Sequence, residues 1–121
     1  MIMLRTLERN QTVGYGSTQT LPQGTKIATV ASGYADGYLR AAEHAVAYLG
    51  DHQVKLVGTV TMDMLCFDVT HVPDDLLVEG APVLLLGDKD GIRVDDLAAH
   101  AGTIGYEILT RIGARVTRQY R

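Results

Sequence analysis

Lys26-Ile27-Ala28-Thr29-Val30-Ala31-Ser32-Gly33-Tyr34-Ala35-Asp36-Gly37-Tyr38, residues 26–38, runs from a partly β-branched segment into a tyrosine set between two glycines. Its first six residues predict a strand, because branched side chains suit a pleated surface. The glycines predict a turn in which the backbone takes unusual angles or approaches a neighbour closely, presenting the Tyr34 phenol. Tyr15 has a similar setting in Val13-Gly14-Tyr15-Gly16-Ser17-Thr18. A phenol held this way can donate or take a proton, or it can be a plain turn residue. The glycines alone leave both readings open.

On either side of this stretch the chain reads as short strands. Val54-Lys55-Leu56-Val57-Gly58-Thr59-Val60 is β-branched and partly alternating. Val83-Leu84-Leu85-Leu86 is a continuous apolar run, and Lys89-Asp90-Gly91 looks like a hairpin turn leading into Ile92-Arg93-Val94. Leu21-Pro22-Gln23-Gly24 and Val78-Glu79-Gly80-Ala81-Pro82 are turns, since proline fixes φ and glycine accepts what other residues resist. Such spacing points to a barrel or sandwich.

Helical signal comes late. Asp95-Asp96-Leu97-Ala98-Ala99-His100-Ala101 starts with an acidic cap candidate and stops at Gly102. A second helix starts near Thr103 or Gly105, with Ile104, Ile108 and Ile112 four apart and Gly113 at its end. Residues 41–49 suit a helical turn by their alanines and strand ends by their tyrosines. The whole is a single mainly β domain over residues 1–121: a small barrel-like unit of short strands with two short helices near the C-terminus.

A net charge of -3 with both signs scattered offers no basic stripe for nucleic acid and no polybasic segment for a membrane. No apolar run approaches a spanning length, and the start lacks a signal-peptide core, so the chain reads as cytoplasmic. Cys66, the one cysteine, lies in an apolar run and reads as buried and reduced. His44, His52, His71 and His100 have no metal-ligand spacing, so no metal is expected. No Gly-x-Ser-x-Gly is present, and Ser17 and Ser32 have no histidine beside them in sequence. Gly102-Thr103-Ile104-Gly105-Tyr106 opens a helix where free N–H groups could meet an anion, without the lysine of a nucleotide loop. Thr61-Met62-Asp63-Met64 places a carboxylate between thioethers, either as the outward face of a strand or as a loop whose N–H groups meet a ligand carboxylate.

Taken in order, residues 13–18, 28–37, 57–64, 95–98 and 102–107 resemble the C-terminal domain of bacterial alanine racemase, a similarity that runs from about Met3 to Arg121. The resemblance implies an isomerase using pyridoxal 5'-phosphate. In such enzymes an N-terminal (β/α)₈ barrel precedes the β domain, and two chains form a head-to-tail homodimer. It implies interconversion of L- and D-alanine, a small-molecule substrate, for peptidoglycan precursors. The barrel and its cofactor lysine are absent from the sequence: Lys26, Lys55 and Lys89 fall outside every matched motif. The domain is therefore expected to be inactive alone and to have a racemase barrel as its partner.

Residue by residue, the resemblance makes Tyr15 the catalytic base contributed to a partner subunit. Met62 is the residue whose N–H meets the substrate carboxylate, and Asp63 the neighbour that steadies its loop. Tyr34 and Arg40 line the substrate corridor, and Tyr106 bonds the cofactor phosphate. Thr59 departs from the family pattern, which often has arginine there, and this opens a broader amino-acid specificity. A stand-alone β module with a binding or regulatory role is the further alternative. Without a barrel, the face carrying Tyr15, Tyr34 and Met62 is expected to self-associate through exposed apolar surface.

Overall fold

The computed structural model describes residues 1–13, 19–42 and 45–120. Strands β1 (Met3–Thr6), β2 (Gln11–Val13), β3 (Gln19–Leu21), β4 (Lys26–Val30), β5 (Val46–Leu49), β6 (His52–Val57) and β7 (Leu65–Asp68) come first, followed by helices α1 (Val94–Ala101) and α2 (Gly105–Thr110). Five strands make one antiparallel sheet in the order β1-β4-β7-β6-β5, and β2 pairs with β3 as a separate ribbon.

Register assigns each strand residue to one of two faces, because successive side chains point to opposite sides. Leu4, Ala28, Phe67 and Leu56 stand opposite one another across four strands. Ala28, Phe67 and Leu56 are buried there with Val54 and Ala47 in the main core. The neighbouring row, Met3–Thr29–Cys66–Val57, faces the other way, as does Arg5–Ile27–Asp68–Lys55. On this second face Leu7 and Leu21 cover Ile27 and Val57, with Cys66 packed beside them. Met3, Thr29 and Cys66 are left bordering a groove.

Two edge strands would leave unpaired backbone groups, which proteins normally cover or pair. Residues 80–84 bridge the two edges. Gly80 N–H donates to Met1 O at 2.9 Å, and Met1 N donates to Ala81 O at 2.7 Å, beside β1. Leu84 and Tyr48 exchange hydrogen bonds of 2.8 and 3.0 Å at β5. The sheet thus curls towards closure, in keeping with the barrel-like, mainly β domain expected from sequence. The expected strand at 83–86 is reduced to this single bridge at Leu84. The turn at Lys89-Asp90-Gly91 does form, with Ile92 N–H donating to Lys89 O and Gly87 N–H to Ile92 O. Ile92 is fully buried, and the chain enters α1 at Val94 instead of extending a second hairpin arm.

The late helices lie where expected, with differences at the first cap and at the end of the second: α2 stops at Thr110, short of Gly113, with Ile104 as its exposed N-cap and Ile112 beyond it. Asp95 is already inside α1, and Arg93 is the N-cap. The carboxylate that closes the helix start is Asp96, whose Oδ2 accepts the N–H groups of Gly91 and Arg93 at 3.0 and 3.1 Å. α1 and α2 bury Leu97, Ala98 and Ile108 against Ala42 and Ala45. The ambiguous alanine stretch therefore divides: Ala42 and Ala45 pack under the helices, and β5 begins at Val46.

Truncating Phe67 to alanine removes the largest fully buried side chain of the core, and a loss of about 3–5 kcal/mol of stability is expected in urea unfolding.

Candidate functional site

Gly33 governs the site by what it lacks. A Cβ there would collide with the Thr61 carbonyl oxygen and the 62–63 backbone, so the turn after β4 can lie directly against the loop after β6. That approach permits two backbone hydrogen bonds, Tyr34 N–H to Thr61 O at 3.0 Å and Ala35 N–H to Met62 O at 2.9 Å. Residues Tyr34–Asp36 form one turn of 3₁₀ helix, closed by Gly37 at φ 101°, a conformation that favours glycine. A Cβ on Gly37 would also strike the carbonyl of Arg111, just beyond α2. Asp36 fixes the turn from inside: Oδ2 accepts Gly33 N–H at 3.2 Å, Oδ1 pairs with Arg115 Nε at 3.2 Å, and Asp36 O accepts Gly113 N–H at 3.2 Å.

The 61–64 loop is tied off by Thr61. Its Oγ1 donates to Met64 O and accepts Met64 N–H, both at 3.0 Å. The backbone N–H groups of Met62 and Asp63 make no hydrogen bond among the described residues. The Asp63 carboxylate likewise has no partner there, so closure of this loop falls to the Thr61 hydroxyl.

Tyr34, Arg40, Thr59, Met62 and Asp63 all border one groove of ≈ 780 Å³, which the sheet floors with Met3, Thr29 and Cys66. Tyr34 and Met62 are exposed to 45% and 57%. Cys66 is half-buried rather than enclosed, with its Sγ 3.7 Å from Thr29 Oγ1. Arg5 also lines the groove and had no sequence signal, because only the pairing of β1 with β4 brings the Met3 and Arg5 side of that strand to the groove. A smaller, almost wholly apolar cavity of ≈ 250 Å³ lies between Leu39, Leu97, Ile108 and Val116. The groove is the better candidate site because convergent polar groups give a ligand orientation.

Tyr15 lies outside the described residues. Tyr106, on the first turn of α2, is 79% exposed and does not border the groove. No group of three or more metal-ligating side chains occurs among the described residues, and no described helix is long and apolar enough to cross a membrane.

Tyr38 follows the turn and anchors it, its N–H donating to Gly33 O at 3.2 Å. The ring packs between the main core and the helical cluster. Its hydroxyl is buried with no partner among the described residues, and burial pushes the phenol pKa well above its ordinary value of 10.0.

The alanine racemase C-terminal domain model matches residues 1–120. The alanine racemase of Rhodospirillum rubrum is 47% identical over 121 residues, covering 99% of this chain and 32% of that protein. That of Pseudoalteromonas atlantica is 44% identical over 99% of this chain and 31% of its own length. The crystal structure of biosynthetic alanine racemase from Pseudomonas aeruginosa superposes with a TM-score of 0.88 at 40% identity, covering 99% of this chain and 33% of that one. The chain thus spans about a third of the length of the relatives it matches.

Two substitutions test the turn. Gly33→Ala should cost about 1–3 kcal/mol through overpacking, read by urea unfolding, and should speed amide exchange at Tyr34 and Ala35. Tyr38→Phe removes an unsatisfied hydroxyl and should stabilise by about 1 kcal/mol at neutral pH. The buried phenol keeps its proton where the unfolded one loses it. Tyr38 therefore contributes no pH dependence below about pH 10, and stability falls as pH rises above that value. The Phe variant should lose this alkaline slope in denaturation measured from pH 9 to 11.

Proposed function

This chain belongs to the alanine racemase family as its C-terminal domain, and from that premise we propose that residues 1–121 complete an amino-acid racemisation site together with a racemase barrel that lies outside them. The observation that carries the reading is the groove, where the unpaired Met62 N–H shares one opening with Tyr34, Arg40 and Asp63. A backbone N–H with no internal partner is a ready donor to a substrate carboxylate, and the Gly33 contact holds it in place. Tyr34 narrows the entrance as a wall, and Arg40 adds a permanent positive charge that favours a carboxylate.

The cofactor implied is pyridoxal 5'-phosphate. Among this chain's lysines, Lys26 is paired with Asp74 at 2.7 Å and Lys89 with Asp51 at 3.3 Å, and neither these nor Lys55 borders the groove. This supports a covalent anchor on a lysine of the barrel. The Tyr106 hydroxyl is exposed and has no partner among the described residues, which fits a hydrogen bond to the cofactor phosphate. When bound, the cofactor takes up the electron pair left by removal of the α-proton.

Racemisation needs a proton group on each face of the substrate. Tyr15 serves one face in the partner subunit of a head-to-tail homodimer, and a barrel lysine serves the other. A free phenol titrates near ~10, so Tyr15 needs barrel cations to act as a base at neutral pH. The domain alone is inactive on this account, and the exposed Met62, Met64 and Tyr34 surface is covered by other chains in the complete enzyme. Its setting is the cytoplasmic supply of D-alanine for peptidoglycan.

Thr59 favours a second substrate reading. It puts a small neutral side chain on the groove wall, leaving room for amino acids larger than alanine. Rates with alanine, serine and lysine on the assembled enzyme distinguish the two.

Mixing the chain with a separately expressed racemase barrel should restore interconversion of L- and D-alanine. Tyr15→Phe in that mixture should lower the rate by about 10²–10⁴-fold while leaving assembly unchanged. Absence of activity at every mixing ratio would count against complementation in trans.

A further inference from the structure

The groove carries a cation that none of these roles uses. Arg5, on edge strand β1, lines it together with Met3 from the same strand, while Arg40 borders it after the Tyr34 turn. Four other arginines are engaged: Arg93 by Asp88 and Asp90, Arg115 by Asp36, Arg111 by Glu107, and Arg118 by the Ile112 carbonyl. The guanidinium groups of Arg5 and Arg40 make no ion pair or hydrogen bond among the described residues. Among the described residues Asp63 is the one carboxylate bordering the groove, and its carboxylate has no partner there. Two guanidiniums and one carboxylate without partners among the described residues therefore border one groove, with Met62 in the same lining.

We infer that Arg5 is a specificity-determining residue that draws the carboxylate of a short amino acid into this groove and towards the Met62 N–H. The inference rests on the reading that the groove receives an amino-acid substrate. A guanidinium stays charged across the whole working pH range. Inside a concave, partly apolar site its field is focused, which raises the local concentration of an anion. The field of an exposed cation reaches roughly 8 Å at physiological ionic strength, so Arg5 acts at the groove and not across the molecule. Its place on β1 opposite Ile27 gives it a rigid base, since β1 is hydrogen-bonded to β4 over four residue pairs. Ligands lacking a carboxylate, such as amides and decarboxylated amines, gain nothing from this charge.

The test uses the ¹⁵N-labelled 121-residue chain and propionate as the probe, with propionamide as the uncharged control. In the unsubstituted chain propionate should shift the Met62 amide at low salt and propionamide should not. Arg5→Gln should weaken the propionate response by about tenfold, the low end of the range over which focused charge alters ligand capture. Arg5→Lys should restore most of it, and 0.5 M salt should erase the difference between the variants. Arg5 is exposed, and unchanged spectra elsewhere verify that each variant keeps the fold. If Arg5→Gln titrates like the unsubstituted chain, the role of Arg5 is overturned while the groove remains a carboxylate site. If propionate leaves Met62 unmoved in the unsubstituted chain, both the Arg5 role and the substrate reading of the groove fail. In the assembled enzyme the same substitution should raise KM for alanine at low salt with kcat unchanged; a loss confined to kcat would overturn the inference.

Discussion

The absence of a side chain at Gly33 is the constraint on which the site depends. Because nothing stands between the turn after β4 and the loop after β6, the two backbones touch and exchange the hydrogen bonds of Tyr34 and Ala35 with Thr61 and Met62. That contact sets the Tyr34 phenol and the Met62 N–H in one groove. On its other side the turn is held by Gly37 against the end of α2 and by Asp36 through Arg115. Small helices far along the chain thereby hold a turn that comes early in it.

The sheet supplies the rigid floor for this arrangement. One face packs Phe67, Ala28 and Leu56 into the core, and the other is only partly covered by Leu7 and Leu21, so Met3, Thr29 and Cys66 remain at the groove. A uniformly covered second face would leave no place for a ligand. The 80–84 segment ties both sheet edges by backbone hydrogen bonds, which limits how far the floor can open.

Local patterns were legible where local physics decides them. The run from Lys26 became β4, the glycine-bounded Tyr34 became a turn, and α1 stopped at Gly102. Val83–Leu86 misled because apolar runs look alike whether they pair as strands or cover an edge, and only the position of Tyr48 decides that. Asp95 was the cap candidate, and the role of Asp96 instead depends on the turn at Gly91, whose N–H it accepts. Arg5 was invisible because membership of the groove comes from cross-strand register, which sequence spacing does not carry. The joint placement of Tyr34, Arg40, Thr59, Met62 and Asp63 was legible only through resemblance to a family, since these residues come from separate loops. Tyr15 stays outside what the structure describes.

The central claim is that the groove formed by the Gly33 turn and the 61–64 loop is the face this domain presents to a racemase barrel. Amide chemical-shift mapping of the labelled chain on addition of the barrel domain tests it most directly. The account predicts the largest changes at Tyr34, Met62 and Asp63, with the β5 edge unchanged. Changes centred on that opposite edge, with the groove amides unmoved, would contradict it.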